Sequence, residues 1–183
     1  MVIPGSVQVM GAVLAGGQSR RFGSDKALAL LNGQTLLDHA VRGLRAICAE
    51  VAVIGRPQVS AGTLMAPDRP RAGMGPLGGI AGALHLARER GFAAVLTVPV
   101  DAGAVDADVL GLLTPAPACC ADQPVIGLWP VAALGVVEDI LAGDGRHSVL
   151  ALAGALGARM VRLPVPLANI NTPADLAALE RRA

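Results

Sequence analysis

From Leu14 to Lys26 the chain reads Leu-Ala-Gly-Gly-Gln-Ser-Arg-Arg-Phe-Gly-Ser-Asp-Lys, an apolar run that ends in a glycine-rich turn set with cations. Gly16 and Gly17 permit positive φ or a close approach of the main chain to a ligand. Successive N–H groups in such a turn form a concave anion site. Arg20, Arg21 and Lys26 add full positive charge, and arginine grips phosphate oxygens through two parallel hydrogen bonds. The chemistry indicated is the binding of a polyphosphate. The spacing, Gly-Gly-x5-Gly, is neither a P-loop, which ends in Gly-Lys-Ser/Thr, nor the Gly-x-Gly-x-x-Gly of a dinucleotide fold. The plain alternative is an ordinary strand-to-helix turn with a solvated basic tip.

Asp101 follows the apolar run 93–98, with Pro99 stiffening the exit. A carboxylate there suits Mg²⁺, which takes oxygen ligands and is commonly held by one or two protein groups plus substrate phosphates and water. It equally suits a helix cap, and the local sequence leaves both roles open for Asp101. Asp106 and Asp108 read as a cap and a first-turn acid of the next helix. In Asn169-Ile-Asn-Thr-Pro-Ala-Asp175, Thr172 is the expected N-cap, Pro173 the first helical residue and Asp175 the reciprocal partner. Asn169 and Asn171 are not needed for that start, so their amide oxygens are free to serve as a second metal ligand or to bond a substrate.

Gly73-Met-Gly-Pro-Leu-Gly-Gly79 is a second glycine-rich loop that runs into a helix and presents its N–H groups to a polar ligand. Asp68 lies just upstream as a candidate ligand contact, whereas Arg69 and Arg71 read as solvated loop charge. Within Gly143-Asp-Gly-Arg-His-Ser148, Arg146 is placed to meet an anionic acceptor, and Asp144 or Ser148 to cap the next helix. His39 and His85 fall in helical stretches without a spaced partner. Neither Ser19 nor Ser24 has a histidine at a recognisable offset, and Cys119 and Cys120 fall in a Pro-rich turn, so no nucleophile triad is expected.

These residues must be positioned by alternating strands and helices. Strands are expected at 7–15, 51–55, 93–98, 124–129 and 160–163, and helices at 35–49, 80–90, 106–113, 136–142, 147–156 and 172–180. That alternation implies a mostly parallel sheet covered on both faces, with ligands beyond the carboxyl ends of the strands. The 183 residues, 53% of them hydrophobic, suit one domain spanning 1–183. A net charge of +1, with no Tyr, two Phe and one Trp, speaks against nucleic acid as a partner. No run is long and apolar enough for a membrane span, and the cations follow the apolar run 7–15 rather than precede it as in a signal peptide. Three cysteines without Cys-x-x-Cys spacing fit a reducing cytoplasm better than a disulfide set or a zinc site. A monomer is the default expectation.

Three separated motifs resemble those of the molybdenum cofactor guanylyltransferase (MobA) family: the stretch from Leu14 to Lys26, Gly75-Pro-Leu-Gly-Gly-Ile80, and Asn169-Ile-Asn-Thr-Pro-Ala-Asp-Leu176. The resemblance implies a single Rossmann-like three-layer α/β/α domain of the nucleotide-diphospho-sugar transferase type. It implies that Leu14, Ala15, Gly16 and Gly17 lie against a guanine nucleotide, that Arg21 and Lys26 bind its phosphates, and that Asp68 lies near the guanosine. By the same resemblance Asp101 holds Mg²⁺, Asn171 stands near the metal and the acceptor, and Arg146 faces the acceptor phosphate. The implied reaction is attack by the terminal phosphate of molybdopterin on the α-phosphorus of GTP, with Lys26, Arg21 and Asp101 as the catalytic set and molybdoenzyme maturation proteins as further partners. Other assignments stay open: a molybdopterin cytidylyltransferase, a sugar-phosphate nucleotidyltransferase, or a non-catalytic nucleotide or cofactor carrier.

The chain departs from the family pattern in places. It has Pro99-Val-Asp-Ala-Gly103 where relatives usually read Pro-Cys-Asp-x-Pro, and Phe22 where Met is usual. Between Leu113 and Gln123, where relatives carry a strand pair, only Thr-Pro-Ala-Pro-Ala-Cys-Cys-Ala-Asp intervenes, which implies an altered acceptor pocket.

Overall fold

The computed structural model describes residues 8–16, 25–57, 62–170 and 172–180. Seven strands form one sheet in the spatial order β5 (Leu64–Ala66), β4 (Glu50–Ile54), β1 (Val9–Leu14), β6 (Ala94–Pro99), β8 (Gly127–Pro130), β7 (Ala118–Cys120) and β9 (Arg159–Val161). A separate hairpin pairs β2 (Leu30–Leu31) with β3 (Gln34–Thr35). Neighbours from β5 to β6 run parallel, as do β7 and β9, while β8 runs against both β6 and β7. The sheet is therefore mostly parallel, as the alternation of elements implies.

Helices cover both faces. Helix α2 (Gly75–Glu89), α4 (Leu134–Ala142) and α5 (Val149–Ala155) pack into one apolar cluster with Met10, Ile54 and Trp129. Helix α1 (Leu36–Arg45) and α3 (Ala107–Leu113) pack into another with Val13, Val53 and Leu96. Alternate residues of the central strands feed the two clusters, which is why those strands are apolar on both faces. Among the described residues Thr97 is a fully buried polar side chain in the sheet. Its hydroxyl donates to the Val125 carbonyl at 2.7 Å and accepts from Trp129 Nε1 at 2.9 Å, so its burial leaves nothing unpaired.

The helices start where side chains can cap them. Thr35 Oγ1 accepts from the Asp38 N–H, Asp106 from Val109, and Ser148 from Ala151. Thr172 and Asp175 exchange bonds at the start of α6 (Pro173–Glu180), as expected from their spacing. Ser148, and not Asp144, is thus the cap of α5. Helix α1 ends at Arg45, short of the expected 49, because the chain turns there: the Ile47 and Cys48 N–H groups both bond the Leu44 carbonyl. Helix α2 begins at Gly75, five residues before the expected 80, with Pro76 in its first turn.

One reading of the sequence is corrected. Ala118–Cys120 is a strand and not a turn: it pairs antiparallel with β8 and parallel with β9 inside the main sheet. The segment after Leu113 is therefore short yet still adds a strand. Cys119 faces one cluster and Cys120 the other, the alternation that a strand dictates. The three-residue β5 and the hairpin of β2 and β3 are likewise additions to the expected elements.

From β1 the chain moves outward to β4 and β5, then crosses back to place β6 on the other side of β1. The strand order reverses between β1 and β6, where connections leaving in opposite directions open a crevice at the carboxyl ends.

Candidate active site

Leu14 at the end of β1 stands opposite Pro99 at the end of β6, and their continuations carry Gly16 and Asp101. The Asp25 carboxylate accepts from the Ala27 N–H at 3.2 Å and caps a single 3₁₀ turn, Lys26–Leu28. From that turn Lys26 Nζ donates to Asp101 Oδ2 at 2.7 Å. Lys26 is 7% exposed, so its four-carbon stem is buried and its charge is delivered to the crevice.

This contact bears on the capping role left open for Asp101. Its carboxylate takes a cation from another element instead of a helix N–H, and Asp106 caps the following helix. Oδ2 makes the one hydrogen bond of this carboxylate to a described residue. A lone carboxylate at a sheet rim suits a hard cation that draws most of its ligands from phosphate oxygens and water, as Mg²⁺ does. Among the described residues no group of three or more His, Cys, Asp and Glu gathers, which disfavours a site built wholly from protein donors there.

A second segment is laced to Asp101 by the main chain. Its carbonyl accepts from the Ile170 N–H at 3.0 Å, the Gly103 N–H donates to the Ala168 carbonyl at 2.7 Å, and Ala102 bridges Asn169. A Cβ on Gly103 would lie 3.1 Å from the Ala168 nitrogen, so the absence of a side chain permits the close approach. Asn169 and Ile170 are thereby brought to the carboxyl end of β6; Asn171 lies outside the described residues. So do Gly17 and Arg21.

Asp68 sits on the other side of Gly16. A Cβ on Gly16 would stand 2.9 Å from Asp68 Oδ2, and one on Gly55, whose φ is +83°, would stand 2.8 Å from Oδ1 and 2.7 Å from the Gly16 Cα. These two glycines let the ends of β1 and β4 close under the carboxylate. Burial raises the Asp68 pKa above the ordinary carboxylate value, partly offset by the Gly73 N–H. The native state therefore holds the proton more tightly than the unfolded chain. The Asp68 contribution to stability is fully present below the unfolded pKa and is lost as pH rises through the folded one. Asp68→Asn keeps an acceptor for Gly73 and is expected to raise the urea midpoint at pH 7 but not at pH 3. An equal rise at both pH values would show that the carboxylate charge is not the cause.

In the second glycine loop Gly73 and Gly75 face open space, whereas Gly78 and Gly79 are packed. Gly78 approaches the Met74 side chain and the Arg69 carbonyl, and Gly79 lies against Leu14. Arg69 and Arg71 are exposed, as their loop position implies. Arg146 is exposed in the connection from α4 to α5 and makes no side-chain bond to a described residue. Since β8 runs downward and α4 climbs back, this connection lies at the same end of the sheet as Asp101. His39 bonds the Leu31 carbonyl and His85 pairs with Glu138, so both are occupied structurally. Burial pushes the Cys48 thiol up to about 12 and Cys120 up to about 11, which keeps both protonated and non-nucleophilic near neutral pH.

Two features here lie beyond the sequence reading. One is the lacing of 101–103 to 168–170. The other is the grip of Arg56, just beyond β4, on Asp25: NH1 to Oδ1 at 2.9 Å and NH2 to Oδ2 at 2.5 Å. Nothing near Arg56 in sequence names its partner.

Comparison with known proteins gives a consistent picture. The family model for the MobA-like NTP transferase domain matches residues 11–161. A molybdenum cofactor guanylyltransferase of Acidiphilium cryptum (strain JF-5) is 36% identical, with 98% of each chain covered. Another, from Rhodobacter capsulatus, is 32% identical over 96% of this chain and 97% of its own. Among solved structures, molybdopterin-guanine dinucleotide biosynthesis protein A from Archaeoglobus fulgidus superposes with a TM-score of 0.73 at 21% identity, covering 94% of this chain and 97% of its own. A 2-C-methyl-D-erythritol 4-phosphate cytidylyltransferase from Thermus thermophilus gives 0.60 at 16%, covering 93% and 96%. At those identities the structural likeness speaks to the fold.

Proposed function

The chain belongs to the MobA-like NTP transferase family and is a nucleotidyltransferase, and we propose that it transfers GMP from Mg²⁺-GTP to the terminal phosphate of molybdopterin with release of pyrophosphate. The observation that carries this reading is the Lys26–Asp101 pair, a buried ammonium and a carboxylate meeting at 2.7 Å in the crevice where the strand order reverses. Together with relatives named molybdenum cofactor guanylyltransferase over nearly the whole chain, it supports GTP as the donor and molybdopterin as the acceptor.

In this reading the base and ribose lie over Leu14, Ala15, Gly16 and Gly17, with Asp68 beside them. An oxygen of the molybdopterin phosphate forms a bond to the α-phosphorus of GTP while the bond from that phosphorus to the bridging oxygen breaks, and pyrophosphate departs with the bonding pair. The attacking oxygen is already ionised, so no side chain has to take a proton. Lys26 and Arg21 hold the phosphates and offset the charge that builds on them, and Arg146 holds the acceptor phosphate. Asp101 and Asn171 are the residues that would hold Mg²⁺, which when bound neutralises phosphate charge and orients the leaving group. Residues 1–183 act as one domain, as a cytoplasmic monomer that passes its product to molybdoenzyme maturation proteins.

The test is pyrophosphate release from GTP, CTP, ATP or UTP with Mg²⁺, with and without molybdenum-loaded molybdopterin. Release that needs the pterin and prefers GTP is expected. A preference for CTP would move the chain to cytidylyl transfer, acceptance of a sugar phosphate in place of the pterin would change the acceptor class, and GTP binding without release would make it a carrier.

A further inference from the structure

We infer that Arg56 is a positioning residue for Lys26, acting through Asp25. The Asp25 carboxylate is held from two directions. The fork of Arg56 bonds both of its oxygens, at 2.9 and 2.5 Å, and the Ala27 N–H bonds Oδ1 at 3.2 Å. Two parallel N–H donors fix the plane of a carboxylate as well as its distance, which a single cation does not. The Arg56 side chain is only 17% exposed, so the pair is shielded on one side. The Arg56 hydrogen bond holds the Asp25 carboxyl below its ordinary pKa, so it is ionised at neutral pH.

The placement of this pair gives it a consequence beyond local stability. Arg56 lies two residues beyond the end of β4, and β4 is hydrogen-bonded to β1 in the middle of the sheet. Asp25 is the residue immediately before Lys26 and the cap of its 3₁₀ turn. The bridge therefore ties the base of the Lys26 side chain to the rigid sheet, 31 residues away in sequence. On the downstream side the turn is held by the Ala29 N–H on the Lys26 carbonyl and the Leu36 N–H on the Ala29 carbonyl. On the upstream side the Arg56 fork links the residue before the turn to the end of β4, separately from the bond that Lys26 itself makes to Asp101. Releasing it frees the turn to shift, and the ammonium no longer meets Asp101 at a fixed distance.

Lys26 is the sole lysine of the chain, so an amine-specific reagent reports on it directly once the N-terminal amine is accounted for. The experiment measures acetylation of Lys26 by acetic anhydride with mass-spectrometric readout, and kcat and KM for GTP, in the parent protein, Arg56→Ala, Arg56→Lys, Asp25→Asn and the double variant Arg56→Ala/Asp25→Asn. The activity arm rests on the proposed function, whereas the labelling arm does not. Arg56→Ala is expected to acetylate Lys26 at least about fivefold faster through more frequent local opening. It is expected to lower kcat roughly tenfold with a smaller change in KM, since misplacement of a catalytic group acts on the transition state. Arg56→Lys falls between, and the double variant is no worse than Arg56→Ala, because both substitutions remove one interaction.

Lys26 labelling unchanged in Arg56→Ala overturns the inference, even if activity falls, because Arg56 then acts on the nucleotide itself. Faster labelling in a protein that turns over no GTP supports the positioning role while refuting the proposed reaction. Thermal unfolding of each variant separates a local release from global unfolding, and acetylation that rises only in step with a lost melting transition also overturns the inference.

Discussion

Lys26→Ala and Asp101→Ala are each expected to lower pterin-dependent pyrophosphate release from GTP by about 10²–10³-fold or more, the usual loss on removing a preorganised electrostatic contact to a transition state. The two should fail differently. Lys26→Ala takes away a fixed ammonium without touching the candidate metal ligand, so added Mg²⁺ should not restore its rate. Asp101→Ala leaves the buried Lys26 without this carboxylate and removes the candidate metal ligand, so its rate should depend more steeply on Mg²⁺. Because the two side chains form one unit, the double variant should lose much less than the product of the single losses. Asp101→Asn preserves size and an oxygen acceptor for Lys26, and its circular dichroism and melting curve provide the folded control. Near-normal turnover in a folded Lys26→Ala or Asp101→Ala would refute that residue's role.

The largest structural effect is expected from Gly82→Val, far from any charge. Gly82 lies in the buried face of α2, where a Cβ would overlap the Pro67 carbonyl oxygen and come 3.2 Å from an Ile54 methyl. The obstacle is backbone, which has no rotamer by which to yield. Overpacking of this kind costs about 3 kcal/mol, which for a domain of this size lowers the melting temperature by roughly 6–12 °C. Pro67 immediately precedes Asp68, so the displaced loop should also weaken nucleotide binding in whatever fraction stays folded. A melting temperature within about 2 °C of the parent would mean that α2 and the Pro67 loop are not pressed together as described. Gly82→Ala places the same Cβ with less bulk and should fall in between.

Much of this protein was legible locally. The candidate polyphosphate turn stood out because Gly16, Gly17 and Lys26 sit within one stretch, and anion binding by glycine N–H groups and cations is a short-range property. Helix caps at Asp106 and Thr172 were readable for the same reason, since a cap reaches only three residues ahead, whereas Ser148 was one of two candidates. The apolar central strands and the alternation of elements implied the parallel sheet, and with it the end at which a ligand would lie.

Two short strands, Ala118–Cys120 and Leu64–Ala66, were not legible, because three residues carry too little periodicity to separate strand from turn, although the equally short β9 overlaps an expected strand. Their hydrogen bonds come from partners already in place, so pairing and not propensity makes them strands.

By itself, then, the sequence determined the class of fold, the kind of ligand and which residue types stand at the carboxyl end of the sheet. Tertiary structure alone decided which of them meet: Lys26 with Asp101 across 75 residues, Arg56 with Asp25 across 31, Asp68 over Gly16 and Gly55, and Gly103 with Ala168. Each of those contacts depends on strand order and register, which are set by burying the two apolar faces of the whole sheet at once. The local sequence around Asp101 is equally good for a cap or a metal ligand, and only the fold shows that Asp106 takes the cap while Asp101 meets Lys26.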